Sequence, residues 1–266
     1  MTQSFYIITW TDVLVSLVLI GISIGLIKWL KIGLENSLII GTIRTFIQLG
    51  FMGYVLTWFF QQQSWVFMVS LIALMILIAG FEGTRRQKEF KIPHLFWIMT
   101  GSISVAVILV LGIILKVILN IEPWYYPYAM IPIAGMIIGN ALNSSTLAIN
   151  RFIGELKHRE NEIEMYLSLG ASPRHAIDDA FKTSIRSALL PNINGLMMVG
   201  LVQLPGVMTG QILSGIDPMI AVRYQIMIMY MWITTVAITD ILVLLFTYKQ
   251  FFTDKAQLRK SLLRNH

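Results

Sequence analysis

The sequence predicts an all-α protein, a polytopic bundle of about seven transmembrane helices with its amino terminus outside and its carboxyl terminus in the cytoplasm. Three observations carry this prediction. Hydrophobic residues make up 56% of the 266-residue chain and charged residues only 13%, against the roughly 25% that is usual in soluble domains. The apolar residues are gathered into long segments. The lysines and arginines are concentrated in alternate connections between these segments.

Seven apolar segments have about the length that a helix needs to cross the hydrocarbon core of a bilayer, which is about 20 residues. They are residues 9–30, 37–60, 64–80, 95–119, 128–149, 193–213 and 221–248. The connections are short except for residues 151–191, so the sequence predicts one membrane domain over residues 1–266 and no soluble domain. The amino terminus lacks a basic region, so no cleavable signal peptide is expected.

The distribution of cationic side chains predicts the orientation. Of the 20 lysines and arginines, 17 lie in the first and third connections, in residues 151–191 and in the carboxyl-terminal tail. The opposite loops, around residues 61–63, 120–127 and 215–218, contain none. Positively charged loops stay on the cytoplasmic side, which places residues 151–191 in the cytoplasm. Trp124 and the tyrosines that follow it are typical of an interfacial aromatic belt on the outer side.

Ionisable side chains inside the predicted spans are costly and face protein or water. Arg44 in the second span is the main one, and Gln48 lies one turn further along the same face. Asp240 in the seventh span is the natural counter-charge. Two interpretations stay open, namely a structural salt bridge and a gate or substrate contact.

The fifth and sixth spans are predicted to be interrupted in a similar way. Each contains a proline, two glycines four residues apart, a methionine and carboxamides. Such broken spans often line the pathway of a transporter, although close helix packing with a kink is the alternative. Methionine can bind soft metals but also serves as adaptable packing. The predicted translocation pathway is lined by Arg44, Gln48, Met136, Asn140, Asn143, Gln203, Met208 and Asp240.

Residues 151–191 form the one long polar stretch of the chain. Glu160 and Glu164 stand at positions i and i+4, where like charges cost a few tenths of a kcal/mol. A cationic partner surface would remove that cost; the alternative is an ordinary solvated loop with Lys157 and Arg159 as local counter-charges.

A helix end and a new helix start are predicted within the same stretch. Gly170 is placed to end one helix, because glycine readily adopts the left-handed backbone that closes a helix. Ser172 is a good N-cap and Pro173 a good first helical residue for the next one.

Motifs for catalysis are absent from the sequence. There is no cysteine, the four histidines lie outside the predicted spans, and no HExxH or P-loop motif occurs; the GxSxG match at residues 21–25 lies inside the first predicted span, with no histidine in that span. The seventh span has no lysine that could hold a retinal. These observations exclude disulfides, thiolate chemistry and nucleotide binding through a P-loop, so a transport or coupling role remains.

The run EMYLSLGASP at 164–173 resembles the cytoplasmic loop of ABC-transporter permeases, where a glutamate and a glycine six residues later mark the helix that docks on the ATPase. Five further segments are similar to the Fet-type permeases, a bacterial family assigned to iron export, with plant relatives linked to aluminium tolerance. They are GTIRTFIQ (41–48), IPIAGMIIGN (131–140), SIRSALLP (184–191), GLVQLPGVMTG (200–210) and GIDPMIAVRYQ (215–225). The similarity covers roughly residues 37–250. One departure from general ABC permeases is that Pro191 follows the glycine much later.

The resemblance implies the permease subunit of an exporter for iron or a related metal in the plasma (inner) membrane. Two copies would pair with two ABC ATPase subunits, which would bind the ATP and Mg²⁺, so no cofactor and no nucleic acid are expected on this chain. The implied ATPase-coupling residues are Glu160, Ile163, Glu164, Leu167, Gly170, Ala171, Ser172 and Pro173, with Ile163 and Leu167 filling an apolar groove. The alternatives are an ion-driven secondary transporter that uses Arg44 and Asp240, and a membrane scaffold that recruits a cytoplasmic protein through residues 155–190.

Overall fold

The computed structural model describes residues 9–61, 64–87 and 90–263. The described residues confirm the predicted all-α class. Their regular elements are helices, and β structure among them is limited to two isolated bridges. The helices are α1 (Trp10–Trp29), α2 (Glu35–Gln61), α3 (Trp65–Arg86), α4 (Leu95–Ile113), α5 (Pro127–His158), α6 (Glu160–Ser168), α7 (Pro173–Ala176), α8 (Asp178–Met198), α9 (Gly206–Leu213) and α10 (Pro218–Gln250). A π-helical turn, Ile114–Ile118, extends α4, and a 3-10 turn, Lys260–Leu262, lies near the carboxyl terminus.

Five of the described helices are long and apolar enough to cross a bilayer, namely α1, α2, α3, α10 and α4 with its π-helical extension. The chain is therefore a multi-pass membrane protein. The predicted span 128–149 corresponds to α5, whose asparagine, serine and threonine side chains make it less apolar than these five. The predicted span 193–213 corresponds to the end of α8, a connection and α9. The count of seven spans and the orientation stay predictions.

The chain divides into two compact units. The first comprises the described residues 9–61 together with 213–215 and is formed mainly by α1 and α2. Thr9 and Asp12 form a capping box at the start of α1, and the rings of Trp10 and Phe46 pack edge to face with centroids 5.9 Å apart. Neither helix has a buried residue within the described chain, so their apolar side chains are available to lipid or to other helices.

The second unit comprises the described residues 64–212 and 216–263, and its centre is formed by α3, α4, α5, α8 and α10. Helices α3 and α4 approach closely at Gly80, where an added Cβ atom would lie 2.0 Å from the Oγ1 atom of Thr100. Small residues allow this kind of close approach between membrane helices. Helix α4 also packs on α10.

One end of the second unit has a hydrophobic cluster that we call the basal core, built around Phe152, Ile163, Ile177, Phe251 and Leu258. These residues come from α5, α6, the α7–α8 junction and the segment after α10, and all are buried. The rings of Phe152 and Phe251 meet edge to face with centroids 6.0 Å apart. Burying a side chain of this size contributes about 1.5–3 kcal/mol, so the basal core fastens the 159–177 segment to α5 and α10.

The two predicted interruptions turn out differently. Helix α5 runs unbroken through Pro132, so the prediction of an interrupted fifth span is wrong. Pro132 is the sixth residue of α5, and its missing N–H removes only one bond of the first turns. The sixth predicted span is interrupted as expected, because α8 ends at Met198 and α9 begins at Gly206.

Candidate functional site

A polar cluster lies where α5, α8 and α10 meet, and we call its three residues Ser144, Asn192 and Asp240 the Asp240 cluster. The hydroxyl of Ser144 donates to the Oδ2 atom of Asp240 at 2.6 Å. The Nδ2 atom of Asn192 donates to the carbonyl of Ala188 at 3.0 Å and lies 3.4 Å from the Ser144 hydroxyl oxygen. Asp240 is fully buried. Within the described residues, its second oxygen, Oδ1, has no hydrogen-bond partner.

The surroundings of Asp240 are unusual for a purely structural carboxyl group. A buried carboxylate is costly unless it is paired and fully hydrogen-bonded. In the described part of the second unit, Asp240 has one serine donor and no ion pair. Ionisable residues inside membrane helices are functional candidates by default, so the open oxygen of Asp240 marks this cluster as a candidate contact for a cation. The predicted Arg44–Asp240 pair stays a prediction, since Arg44 belongs to the first unit.

The structure brings together only some of the predicted pathway residues. Arg44 and Gln48 line the same shallow depression on α2, as their spacing predicts. The Oδ1 atom of Asn143 accepts a hydrogen bond of 2.8 Å from Arg86 on α3. Asn140 donates at 2.8 Å to the carbonyl of its own helix neighbour Met136.

The remaining pathway residues lie in and beside α9. Gln203 is exposed in the α8–α9 connection, and Met208 in α9 is half-buried. Within the described residues, no group of three or more His, Asp and Glu side chains is arranged to hold a metal ion. The pathway role of all these residues stays a prediction.

The predicted helix end and restart after α6 are confirmed. Gly170 has φ of +86°, in the left-handed region that favours glycine. The hydroxyl of Ser172 accepts a hydrogen bond of 3.3 Å from the backbone N–H of His175, and Pro173 is the first residue of α7. The turn between α6 and α7 is thus fixed by its own sequence.

The acidic pair of α6 is neutralised by the chain itself. The Nζ atom of Lys260 lies 2.7 Å from the Oε1 atom of Glu164 and 2.9 Å from the Oε1 atom of Glu160. These hydrogen bonds, first that to Glu164 and then that to Glu160, raise the pKa of Lys260 above its ordinary value. The sequence offered a partner protein or Lys157 and Arg159 as counter-charges, whereas the structure adds Lys260 of the carboxyl-terminal segment; contact of the acidic pair with a partner stays a prediction.

Arg159 acts as a junction rather than as a counter-charge to the acidic pair. It lies 3.2 Å from Glu155 of α5, 3.5 Å from Glu162 of α6 and 3.6 Å from Asp179 of α8. Arg151 holds the other oxygen of Glu155 at 2.7 Å. This network joins three helices at the same end of the bundle as the basal core, so α6 cannot easily move alone.

The surface that α6 presents differs from the predicted one. Ile163 is 1% exposed and lies in the basal core, and Leu167 is half-buried against it. Neither projects from the chain as an anchor for a partner. The exposed apolar side chains are instead Met165, Tyr166 and Leu169, the last of them 77% exposed. We call these three residues and the 170–173 turn the α6–α7 tip.

Sequence reasoning missed Ser144, Asn192, Lys260 and the junction role of Arg159. Ser144 and Asn192 could have been suspected, because a buried aspartate needs donors on neighbouring helices. Lys260 carried no local signal, since its partners lie about a hundred residues earlier in the chain.

Comparison with known proteins gives consistent similarities. The profile described as "Uncharacterised protein family (UPF0014)" matches residues 10–252. The chain is 35% identical to "UPF0014 membrane protein YjkA" of Bacillus subtilis over 246 residues, covering 92% of this chain and 96% of that protein. It is 35% identical to "Probable iron export permease protein FetB" of Escherichia coli over 257 residues, covering 94% and 95%.

A plant relative is more distant. "Protein ALUMINUM SENSITIVE 3" of Arabidopsis thaliana is 31% identical over 229 residues, covering 86% of this chain and 82% of that protein. No solved structure matches the chain. The resemblance stated from the motifs is confirmed by these similarities.

Proposed function

The chain belongs to the UPF0014 family, and on that premise we propose that it is the permease subunit of an ATP-driven exporter of iron or a related metal cation. The similarity to a protein named as an iron export permease supports the cargo class. The observation that carries the proposal is the α6–α7 tip, an exposed apolar surface fixed rigidly to the helices that hold the Asp240 cluster.

The energy is supplied by a separate ABC ATPase, as the resemblance of residues 164–173 implies; the chain itself has no P-loop. The ATPase docks on the α6–α7 tip, where Met165, Tyr166 and Leu169 offer apolar anchors. A few such anchors carry most of the free energy of a protein interface. Ala171 and Pro173 shape the turn, whereas Glu160 and Glu164 hold α6 in place through Lys260.

Movement of the tip is transmitted along α5 and α10. Phe152 on α5 and Phe251 at the end of α10 meet in the basal core. Ser144 lies eight residues before Phe152 and Asp240 eleven residues before Phe251, which are about 12 Å and 16 Å along a helix. A tip pulled by the ATPase would therefore shift α5 against α10 and break or form the Ser144–Asp240 hydrogen bond, a rearrangement of packed helices typical of switching proteins.

The Asp240 cluster contacts the cargo. Its carboxylate, hydroxyl and carboxamide oxygens are ligands that hard cations prefer. The predicted soft-metal role of Met136 and Met208 has less support, since the two methionines lie on separate helices, α5 and α9, and both are half-buried.

The complete exporter contains two copies of this chain and two ATPase subunits in the plasma (inner) membrane, as the motif resemblance implies. The α6–α7 tip faces the cytoplasm, in agreement with the 17 cationic residues assigned to that side. The exposed apolar surfaces of α1 and α2 are available for lipid and for the second copy.

The test is co-purification of the candidate ATPase with the tagged permease. We expect Leu169→Asp to lower the amount of captured ATPase at least tenfold, because a charge replaces an exposed apolar anchor. Ser168→Asp is the matched control, since it adds the same charge on the neighbouring exposed residue without removing an apolar side chain. Membrane abundance of each variant is measured by immunoblot. Equal capture by Leu169→Asp and the unmodified chain would place the docking surface elsewhere.

A further inference from the structure

A groove in the second unit is lined mainly by α3 and α4, and none of its lining residues belongs to the Asp240 cluster. Its volume is about 460 Å³. Its walls are apolar and include Ile72 of α3 and Val107 and Leu111 of α4. At one end lie Lys116, in the π-helical extension of α4, and Trp124. We call this cavity the α4 groove.

The length of the α4 groove matches one leaflet of a bilayer. From Val107 to Lys116 the helix rises nine residues, which is about 13 Å at 1.5 Å per residue. The hydrocarbon core is about 30 Å thick, so that one leaflet contributes about 15 Å. An extended acyl chain aligned with α4 would lie in the groove over nearly the whole depth of its leaflet.

The polar end of the groove stands at the depth of lipid headgroups. Tryptophan is enriched at the membrane–water interface, and Trp124 lies in the connection just beyond the apolar segment 95–119. Lys116 is exposed, and no ion pair joins it to a carboxylate in the described residues of this unit. Glu122 lines the neighbouring cleft beyond Lys116 without pairing with it. A cation at this depth attracts lipid phosphate.

Gly112 keeps the α4 groove open. A Cβ atom added there would meet no atom within 4 Å, in contrast to Gly80, where the neighbouring helix leaves no room. Helix packing in the described second unit therefore does not need a glycine at position 112. The glycine instead leaves space on the wall of the groove.

We propose that the α4 groove binds an anionic phospholipid, with one acyl chain along Val107, Leu111 and Gly112 and its phosphate on Lys116. The Lys116 ammonium at the end of the groove favours a headgroup with net negative charge. The proposal is independent of the exporter function, since it rests on the groove and its charge alone.

The experiment uses the full chain in nanodiscs that contain phosphatidylglycerol with a photoreactive diazirine in one acyl chain, and parallel nanodiscs with the corresponding phosphatidylethanolamine. Labelled peptides are mapped by mass spectrometry. We expect phosphatidylglycerol to label residues 69–72 and 107–115 at least threefold more strongly than phosphatidylethanolamine. Lys116→Gln should remove this preference.

Gly112→Leu should reduce the labelling of residues 107–115 at least fivefold, because its side chain occupies the groove. Gly101→Leu is the matched control, as it is the same substitution in open space three turns earlier on α4. Should Gly112→Leu fail to give a monodisperse protein, Ile108→Trp at the exposed rim fills the groove instead.

Three results would overturn the proposal. The first is labelling of Gly112→Leu equal to that of the unmodified chain. The second is no preference for phosphatidylglycerol. The third is absence of label from residues 107–115 in the unmodified chain, which would indicate that a second copy of the chain covers the groove.

Discussion

The carboxylates of α6 and the carboxylate of α10 stand in opposite surroundings. Glu160 and Glu164 both have Lys260 within 3 Å and remain partly exposed. Asp240 is fully buried, with one serine donor and an open Oδ1 atom among the described residues. The paired, solvated glutamates hold a helix in position, and the underpaired aspartate is the group able to respond to a cation. Negative charge alone therefore does not distinguish the carboxylate that we propose as the cargo contact from the glutamates of α6.

The largest expected effect belongs to Asp240→Asn. Asparagine retains the shape and can still accept from Ser144, but it loses the charge that attracts a cation. We expect export in proteoliposomes to fall at least tenfold while membrane abundance stays within twofold. Asp178→Asn is the control, because Asp178 is a half-buried carboxylate paired with Arg174 and Lys182. Equal export by Asp240→Asn and the unmodified chain would make Asp240 a structural residue like the glutamates of α6.

A smaller effect is expected for Gly170→Val, which strains the turn of the α6–α7 tip. A side chain at φ of +86° costs about 1–2 kcal/mol, and this corresponds to roughly 5–30-fold in the equilibrium constant between the native turn and other conformations. ATPase capture should fall by a similar factor. Gly154→Val in α5 is the matched control, because its added atoms meet open space and its backbone is helical. Equal losses for both variants would mean that the shape of the tip does not determine docking.

The smallest effect is expected for Lys260→Ala. Partly exposed ion pairs contribute little to stability, so the melting temperature should fall by only a few degrees, and Lys255→Ala should leave it unchanged. ATPase capture should stay within twofold of the unmodified level, since Lys260 holds α6 from behind the tip. A tenfold loss of capture would show that the acidic pair and Lys260 form part of the docking surface.

The same pair gives a pH dependence with a defined sign. The pKa of Lys260 is raised in the folded state by Glu164 and Glu160. Its contribution to stability is therefore fully present below the ordinary lysine pKa of about 10.4 and is lost as the pH rises through the raised value. The difference in melting temperature between Lys260→Ala and the unmodified chain should be constant at neutral pH and should shrink in strongly alkaline solution.

The sequence was sufficient to predict those structures that are determined by residues close together in the chain. The long apolar runs predict the membrane helices, and Gly170, Ser172 and Pro173 predict the turn, because capping and backbone preferences act within a few positions. The continuity of α5 was not predicted. A proline inside an apolar run indicates a break, but Pro132 lies in the first turns of α5, where a missing N–H costs little.

The tertiary partners lay beyond local reasoning. The spacing of Ile163 and Leu167 indicates an apolar face of α6 but not that the segment after α10 covers it. Lys260 reaches Glu160 and Glu164 only because Phe251 and Leu258 anchor the tail in the basal core. Asp240 was recognisable as an intramembrane charge, whereas its donor on α5 could not be chosen from the several polar residues of that helix.

The central claim is that ATP hydrolysis by a docked partner drives metal export through the Asp240 cluster. The most direct measurement is iron(II) transport in proteoliposomes that contain the purified permease with its ATPase, with and without ATP and with and without an imposed ion gradient. We predict transport that requires ATP, is indifferent to the gradient and is lost in Asp240→Asn although the ATPase remains bound. Transport driven by the gradient in the absence of ATP would contradict the account and identify the chain as a secondary transporter.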